Sequence, residues 1–229
     1  MNPTLLRQIY RKFGIKKKAF RWYKTDKAHD AATIALELRR MKRQLAKARK
    51  DGYRIVYIDE TMFTRTTLPE TEWSLPKENV NVDLDKLKEP TLALLHGISK
   101  EKGNEHFQIF DNSVNVAKFK EYLQGLADAN PGEKLCIFLD NLSAHRSKKA
   151  QAKMRSLGMR WIYNLSYSPE YNPIELVFSK IKSKFKTLRA QKLTGVTQFG
   201  HTALIEKAIR NVRKQDVRNC IEHVSKLLA

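Results

Sequence analysis

The chain has 229 residues, 41% of them hydrophobic and 30% charged, enough for one medium domain with a real core, or a core with a small appendage. Its 44 lysines and arginines against 24 acids leave a formal charge of +20, which points to a polyanionic partner with nucleic acid foremost and an anionic membrane surface second. No apolar run approaches the roughly 20 residues that span a bilayer, and no apolar core with a small-residue cleavage site opens the chain, so neither a membrane-spanning nor a secreted protein is expected.

In chain order, Leu5, Leu6, Ile9, Tyr10 and Phe13 recur at helical spacing up to Gly14, and Lys16, Lys17, Lys18 and Arg21 follow as a basic linker. Residues 26–50 predict a second helix, with Ala31, Ile34, Leu38, Met41 and Leu45 as its stripe and Asp51-Gly52 as its stop. Residues 1–50 hold sixteen lysines and arginines against Asp26, Asp30 and Glu37, so +13 of the +20 sits there, and Arg39, Arg40 and Arg43 become candidate phosphate contacts. From Tyr53 the pattern turns to strands: Tyr53–Ile58, then a polar connection Thr61–Pro90, then Thr91–Ile98 and about His106–Phe110 as an antiparallel meander. A helix over Val116–Ala129, a buried strand over Leu135–Leu139, a helix over about Ser147–Leu157 and a strand over Arg160–Leu165 follow. The helix opened by Asn172-Pro173 runs to about Arg189 around Ile174, Val177, Phe178, Ile181, Phe185 and Leu188, with Lys180, Lys182 and Lys184 off that stripe, and Leu204–Leu228 reads as helical. The order β-β-β-α-β-α-β-α predicts an α/β layered domain with a mixed sheet. Cys136 and Cys220 lie far apart without zinc spacing or a disulfide framework, so both read as small buried thiols in a reducing interior.

Three acids stand out in this plan. Asp140 ends the apolar run Leu135–Leu139, Asp59 (with Glu60 beside it) ends Tyr53–Ile58, and Glu175 opens a helix. In sheets with covering helices, ligands collect where strands end. Cleaving a nucleic-acid backbone needs an activated attacking oxygen and a stabilised leaving oxygen, and two Mg²⁺ ions about 4 Å apart serve both. Carboxylates hold such ions while leaving positions for water and substrate. Each acid also has an ordinary structural reading. Asp59 could close a turn, with Glu60 beside it equally able to be the ligand, Asp140-Asn141 could form an Asx turn, and Asn172, Pro173 and Glu175 fit a capping box. Their joint occurrence in a cationic chain favours the metal site. His145 reads as a helix cap or accessory residue, and Asn141 and Glu60 as accessories to the acids. A G-x-S-x-G elbow and a G-x-x-x-x-G-K-[ST] loop are both absent from the sequence, so a serine hydrolase and a P-loop nucleotide site are not expected.

At Tyr57-Ile58-Asp59-Glu60, Leu139-Asp140-Asn141 with His145-Arg146-Ser147, and Tyr167-Ser168-Pro169-Glu170-Tyr171-Asn172-Pro173-Ile174-Glu175, the sequence resembles the DDE transposases of the IS630/Tc1/mariner superfamily. The 34 residues between Asp140 and Glu175 match that family's usual interval. The resemblance covers residues 50–190 firmly and implies an RNase H-like fold, a mixed five-stranded sheet with helices on both faces. It further implies a pair of Mg²⁺ (or Mn²⁺) ions on Asp59, Asp140 and Glu175, cut-and-paste transposition at TA dinucleotides, and a homodimer on double-stranded DNA, at transposon ends and target. The expected division is 1–50 as a basic helical arm, 51–192 as the catalytic domain and 193–229 as a C-terminal helical extension, acting inside the cell with the genome. Phosphate contacts are expected from Lys16, Lys17, Lys18, Arg21, Arg39, Arg40, Arg43, Arg146, Lys180, Lys182 and Lys184. Phe178 stands where the family commonly has tryptophan, and residues 1–24 match only the tail of the second of two helix-turn-helix units, so end-specific recognition is not expected from these residues alone. Two rivals follow from the same residues: a catalytically inactive, co-opted DNA-binding protein, and an RNase H-like hydrolase that cleaves without joining.

Overall fold

The computed structural model describes residues 31–68, 89–193, 195–196 and 198–228, together with Thr4, Gln8, Ile9, Lys12 and Phe13. Lys16, Lys17, Lys18 and Arg21, most of the Leu5–Gly14 helix and residues 69–88 lie outside the described residues. Packing divides the chain into two units, Met1–Ala35 and Leu36–Ala229. The larger one holds every element discussed below, helix α1 (Ala31–Lys50) entering it from Leu36 onward.

After α1 come strands β1 (Arg54–Phe63), β2 (Leu92–Ser99) and β3 (Gly103–Asp111), then helix α2 (Val116–Asp128) and strand β4 (Leu135–Leu139). Helices α3 (Ser143–Arg146) and α4 (Lys148–Ser156), strand β5 (Arg160–Tyr163) and helices α5 (Ile174–Leu193), α6 (His201–Arg210) and α7 (Lys214–Leu227) complete the order. The strands form one mixed sheet in the order β3-β2-β1-β4-β5, antiparallel from β1 through β3 and parallel from β1 through β5. The α/β class, the five strands and the opening meander are as the sequence predicts.

Side chains alternate across the sheet, so each central strand feeds two cores. Ile55, Tyr57, Cys136 and Phe138 join the core under α1 and α5–α7, with Met41, Ile181, Phe185, Ile205 and Ile221. Val56, Ile58, Ile137 and Leu139 join the core under α2 and α4, with Phe119, Leu123 and Met154. The α5 stripe is buried as expected, Phe178 included, and both cysteines are free and buried. Among the described residues no helix is long and apolar enough to cross a membrane.

Elsewhere the structure extends or refines the expected elements, for physical reasons. β1 does not stop at Ile58 but runs to Phe63, because Thr61, Met62 and Phe63 pair with Leu94, Ala93 and Leu92 of β2. The helix expected over about Ser147–Leu157 is α4, opened by the Ser147 side chain accepting the Ala150 N–H, and the short α3 precedes it without having been predicted. The helical stretch expected over Leu204–Leu228 is divided between two helices: Asn211 ends α6, and a reciprocal pair between Arg213 and Asp216 opens α7. The buried stripe continues through Val212, which is why periodicity alone runs the two together.

Candidate active site

The site is built where β4 stops and β1 does not. The parallel register sets Tyr57 opposite Phe138, so two residues further on Asp59 and Asp140 share a face on neighbouring strands about 5 Å apart. That face is the one on which Tyr57 and Phe138 pack, toward α5. Glu175 lies in the first turn of α5. All three acids line a single cleft, together with Arg146, Tyr167 and Asn172.

Each acid is held differently. Asp59 accepts the Glu60 N–H on Oδ1 at 2.8 Å and the Asn172 side-chain amide on Oδ2 at 3.3 Å. Asn172 is 1% exposed; its amide nitrogen also approaches the Ile58 carbonyl at 3.4 Å, and its Oδ1 accepts the Ile174 N–H at 3.4 Å, so one side chain ties mid-β1 to the start of α5. Asp140 uses Oδ1 twice, toward His145 Nδ1 at 2.6 Å and the Leu142 N–H at 3.2 Å. His145 is buried, its ring 4.4 Å from that of Phe119, and it serves Asp140 rather than capping the next helix. Glu175 is exposed on the rim.

Electrostatics separates the three. Burial, with the negative charges of Asp140, Glu175 and Glu60 added, pushes the Asp59 carboxyl up to about 7 despite the Glu60 N–H. Although Glu175 lies on the rim, partial desolvation by the surrounding protein raises its carboxyl as well, opposed by Lys182 and helped by Asp140. At Asp59 and Glu175 the nearby negative charges add to the effect of burial, and a divalent cation would offset both. The donor set fits a hard cation that takes oxygen ligands. Among the described residues, no group of three His, Cys, Asp or Glu side chains stands close enough to hold one ion as placed.

The remaining expected residues divide. Glu60 accepts the Val114 N–H at 3.3 Å, against the core under α2, and does not line the cleft. It is therefore not an alternative to Asp59, since neighbouring residues of a strand point to opposite faces. Asn141 lines the cleft and donates to the Asn164 carbonyl at 2.5 Å. Asn164 in turn donates to the Ser168 carbonyl at 2.7 Å and accepts the Leu165 N–H at 2.9 Å, bracing the loop that leads to α5. In that loop Tyr167 has φ 57°, a left-handed backbone that costs on the order of 1–2 kcal/mol for a residue with a Cβ. Lys182 and Lys186 share a groove with Thr61 and Glu175, whereas Lys180 and Lys184 face another groove, by Asn211. Lys180 also lies 3.8 Å from Asp216. Arg39, Arg40 and Arg43 are exposed on α1 and line none of these clefts. Sequence reasoning passed over Asn164, which follows β5 much as Asp140 follows β4, and took Asn172 only for a helix cap.

A β3-β2-β1-β4-β5 sheet with helices on both faces and acids at the end of its central parallel pair defines an RNase H-like fold. The chain belongs to the DDE superfamily endonucleases, whose family model matches residues 54–195, more than half of its length. Among solved structures it is similar to the Mos1 strand transfer complex, at 15% identity and a TM-score of 0.58, over 98% of this chain and 67% of that one. It is similar also to the Mos1 transposase catalytic domain with raltegravir and Mg, at 12% identity and a TM-score of 0.57, over 87% of this chain and 93% of that one. At these identities the likeness is one of fold. Among curated proteins none matches the chain.

Proposed function

We propose that this chain is a DNA transposase: it cleaves DNA at the ends of a mobile element and joins the freed 3′-hydroxyl to target DNA, in cut-and-paste fashion at TA. The observation that carries the reading is the convergence of Asp59, Asp140 and Glu175 on one cleft in a +20 chain of the DDE endonuclease family. The fold neighbours support it, being Mos1 complexes described as strand transfer and paired-end, the latter with Mg or Mn. The working form is a homodimer on double-stranded DNA.

Asp59, Asp140 and Glu175 would hold two divalent cations, Mg²⁺ or Mn²⁺, which supply positive charge to the attacking and leaving oxygens of an in-line displacement. The protein's own part is placement. His145 and the Leu142 N–H fix Asp140 through one oxygen, which orients the other. Asn172 and the Glu60 N–H fix Asp59, and Glu175 closes the set from α5. Water and then the freed 3′-hydroxyl are the successive nucleophiles.

The test is incubation of the full chain with DNA carrying candidate element ends and Mg²⁺ or Mn²⁺, scoring nicks and joined products separately. Cation-dependent nicks followed by joining are expected. Nicks that never join would reduce the chain to a hydrolase, and salt-sensitive binding with neither product, once an end-reading head has been supplied, would leave only a co-opted DNA-binding protein.

Phosphate contacts are proposed from Arg146, Lys182 and Lys186 beside the cleft, with Arg39, Arg40 and Arg43 on α1 holding DNA further along. Replacing Lys182 and Lys186 together with alanine is expected to lower the slope of log K against log salt by about two, one for each phosphate lost. Replacing Lys180 and Lys184 should leave the slope unchanged. Anisotropy titrations over a salt series decide, and equal losses from the two pairs would refute the assignment.

A further inference from the structure

Tyr167 is the more exposed of the cleft's two exposed large hydrophobic side chains, at 76%, and has a left-handed backbone. Bulky residues rarely adopt that conformation unless their surroundings impose it. Here the surroundings do. Asn164 holds the Ser168 carbonyl, Asn141 holds Asn164, and the Ser168 hydroxyl donates to the Ser166 carbonyl at 3.3 Å. Leu142, 46% exposed, lines the same cleft. The cleft thus combines the half-buried Asp59 and Asp140 with Glu175 on its rim, a guanidinium on Arg146, and two exposed apolar side chains.

A braced aromatic ring left in solvent adds little to recognition of a paired backbone, which presents phosphates and sugars. An unpaired base is different, because every base has a π-face and stacking on an aromatic ring is indifferent to sequence. We propose that Tyr167 is a stacking platform for a nucleobase unpaired next to the phosphate that enters the acid cleft. This deepens the DNA-processing reading above and rests on it.

The experiment uses the full chain carrying Asp140→Asn, so that no DNA is consumed, and two probes: a short duplex with an unpaired 3′ tail bearing 2-aminopurine, and the fully paired duplex. Tight binding of the tailed probe with quenching of its fluorescence is expected, and Tyr167→Phe should preserve both. Tyr167→Ala should abolish the quenching and weaken binding of the tailed probe about tenfold. Its unchanged affinity for the paired duplex would show that the variant is folded. Quenching and affinity retained in Tyr167→Ala would overturn the proposal, as would a parent protein that binds both probes alike. Salt-sensitive binding without preference for the tail sinks stacking alone, whereas no binding of either probe sinks the DNA reading with it.

Discussion

Asp140→Asn is expected to lower cation-dependent nicking of element-end DNA about a thousandfold while leaving the protein folded and able to bind DNA. A cation's stabilisation of the charge that develops in phosphoryl transfer is worth several kcal/mol, and about 1.4 kcal/mol corresponds to a factor of ten in rate. Asparagine keeps an oxygen that can accept from the Leu142 N–H and from His145, the two partners of Oδ1, so the local structure should survive. What disappears is the negative charge. DNA affinity should hold or rise, because a negative charge is removed from a cationic protein. A second measurement separates charge from structure: Mn²⁺ should raise the melting temperature of the parent protein and not that of the variant. Equal nicking by both proteins would remove Asp140 from catalysis.

The largest stability effect is expected on the far side of α5. Arg189 is 1% exposed, donates to the carbonyls of Thr64 at 2.9 Å and Thr67 at 3.3 Å, and pairs with Glu89 at 3.0 Å. Glu89 also meets Lys192 at 2.6 Å and His201 at 2.9 Å. Glu89→Ala leaves a buried guanidinium with no counter-charge, a change worth about 3–5 kcal/mol, and the partial exposure of Glu89 argues for the lower end. For a chain of this length that is a fall in melting temperature of roughly 10 °C.

The effect carries a pH signature. Burial pushes the Glu89 carboxyl up, but Lys192, His201 and Arg189 outweigh it and hold it below its ordinary value. Its contribution is therefore present above the ordinary carboxylate range and lost as pH falls through the folded value. Burial likewise lowers His201, against the pull of Glu89, so stability from keeping that ring neutral fades earlier, as pH drops below the usual histidine range. Thermal unfolding from neutral to acid pH should show the gap between parent and Glu89→Ala narrowing in the carboxylate range. A gap that stays constant, or a loss under about 2 °C at neutral pH, would mean that the cluster does not hold the fold.

How legible the site was depended on whether its signal was local. Asp140 could be read because the apolar run Leu135–Leu139 is β4 itself and the acid follows its last residue. Asp59 could be found by the same form, yet its setting was misread. Thr61, Met62 and Phe63 mix polar and apolar residues and become strand only through pairing with β2. The bond from Asn172 to Asp59 spans 113 residues, and no window of sequence contains it. Arg189 was hidden for the opposite reason: a cation among lysines on a helix reads as solvated, and only its partners at Thr64, Thr67 and Glu89 place it inside. The two lysine grooves of α5 could have been separated in advance, since residues 182 and 186 sit one turn apart on one side and 180 and 184 on another.

The interval between Asp140 and Glu175 is a path length. From the end of β4 the chain goes down through α3 and α4, reverses at Gly158, whose φ is 67° and around which an added Cβ would meet nothing, and climbs β5 back to the same end of the sheet. A residue inserted at that distant reversal would alter the tally without displacing either carboxylate, whereas one inserted between Asn164 and Asn172 would rotate the approach of α5 itself. Natural variation in the count should therefore accumulate at the bottom of the excursion and be purged near its top.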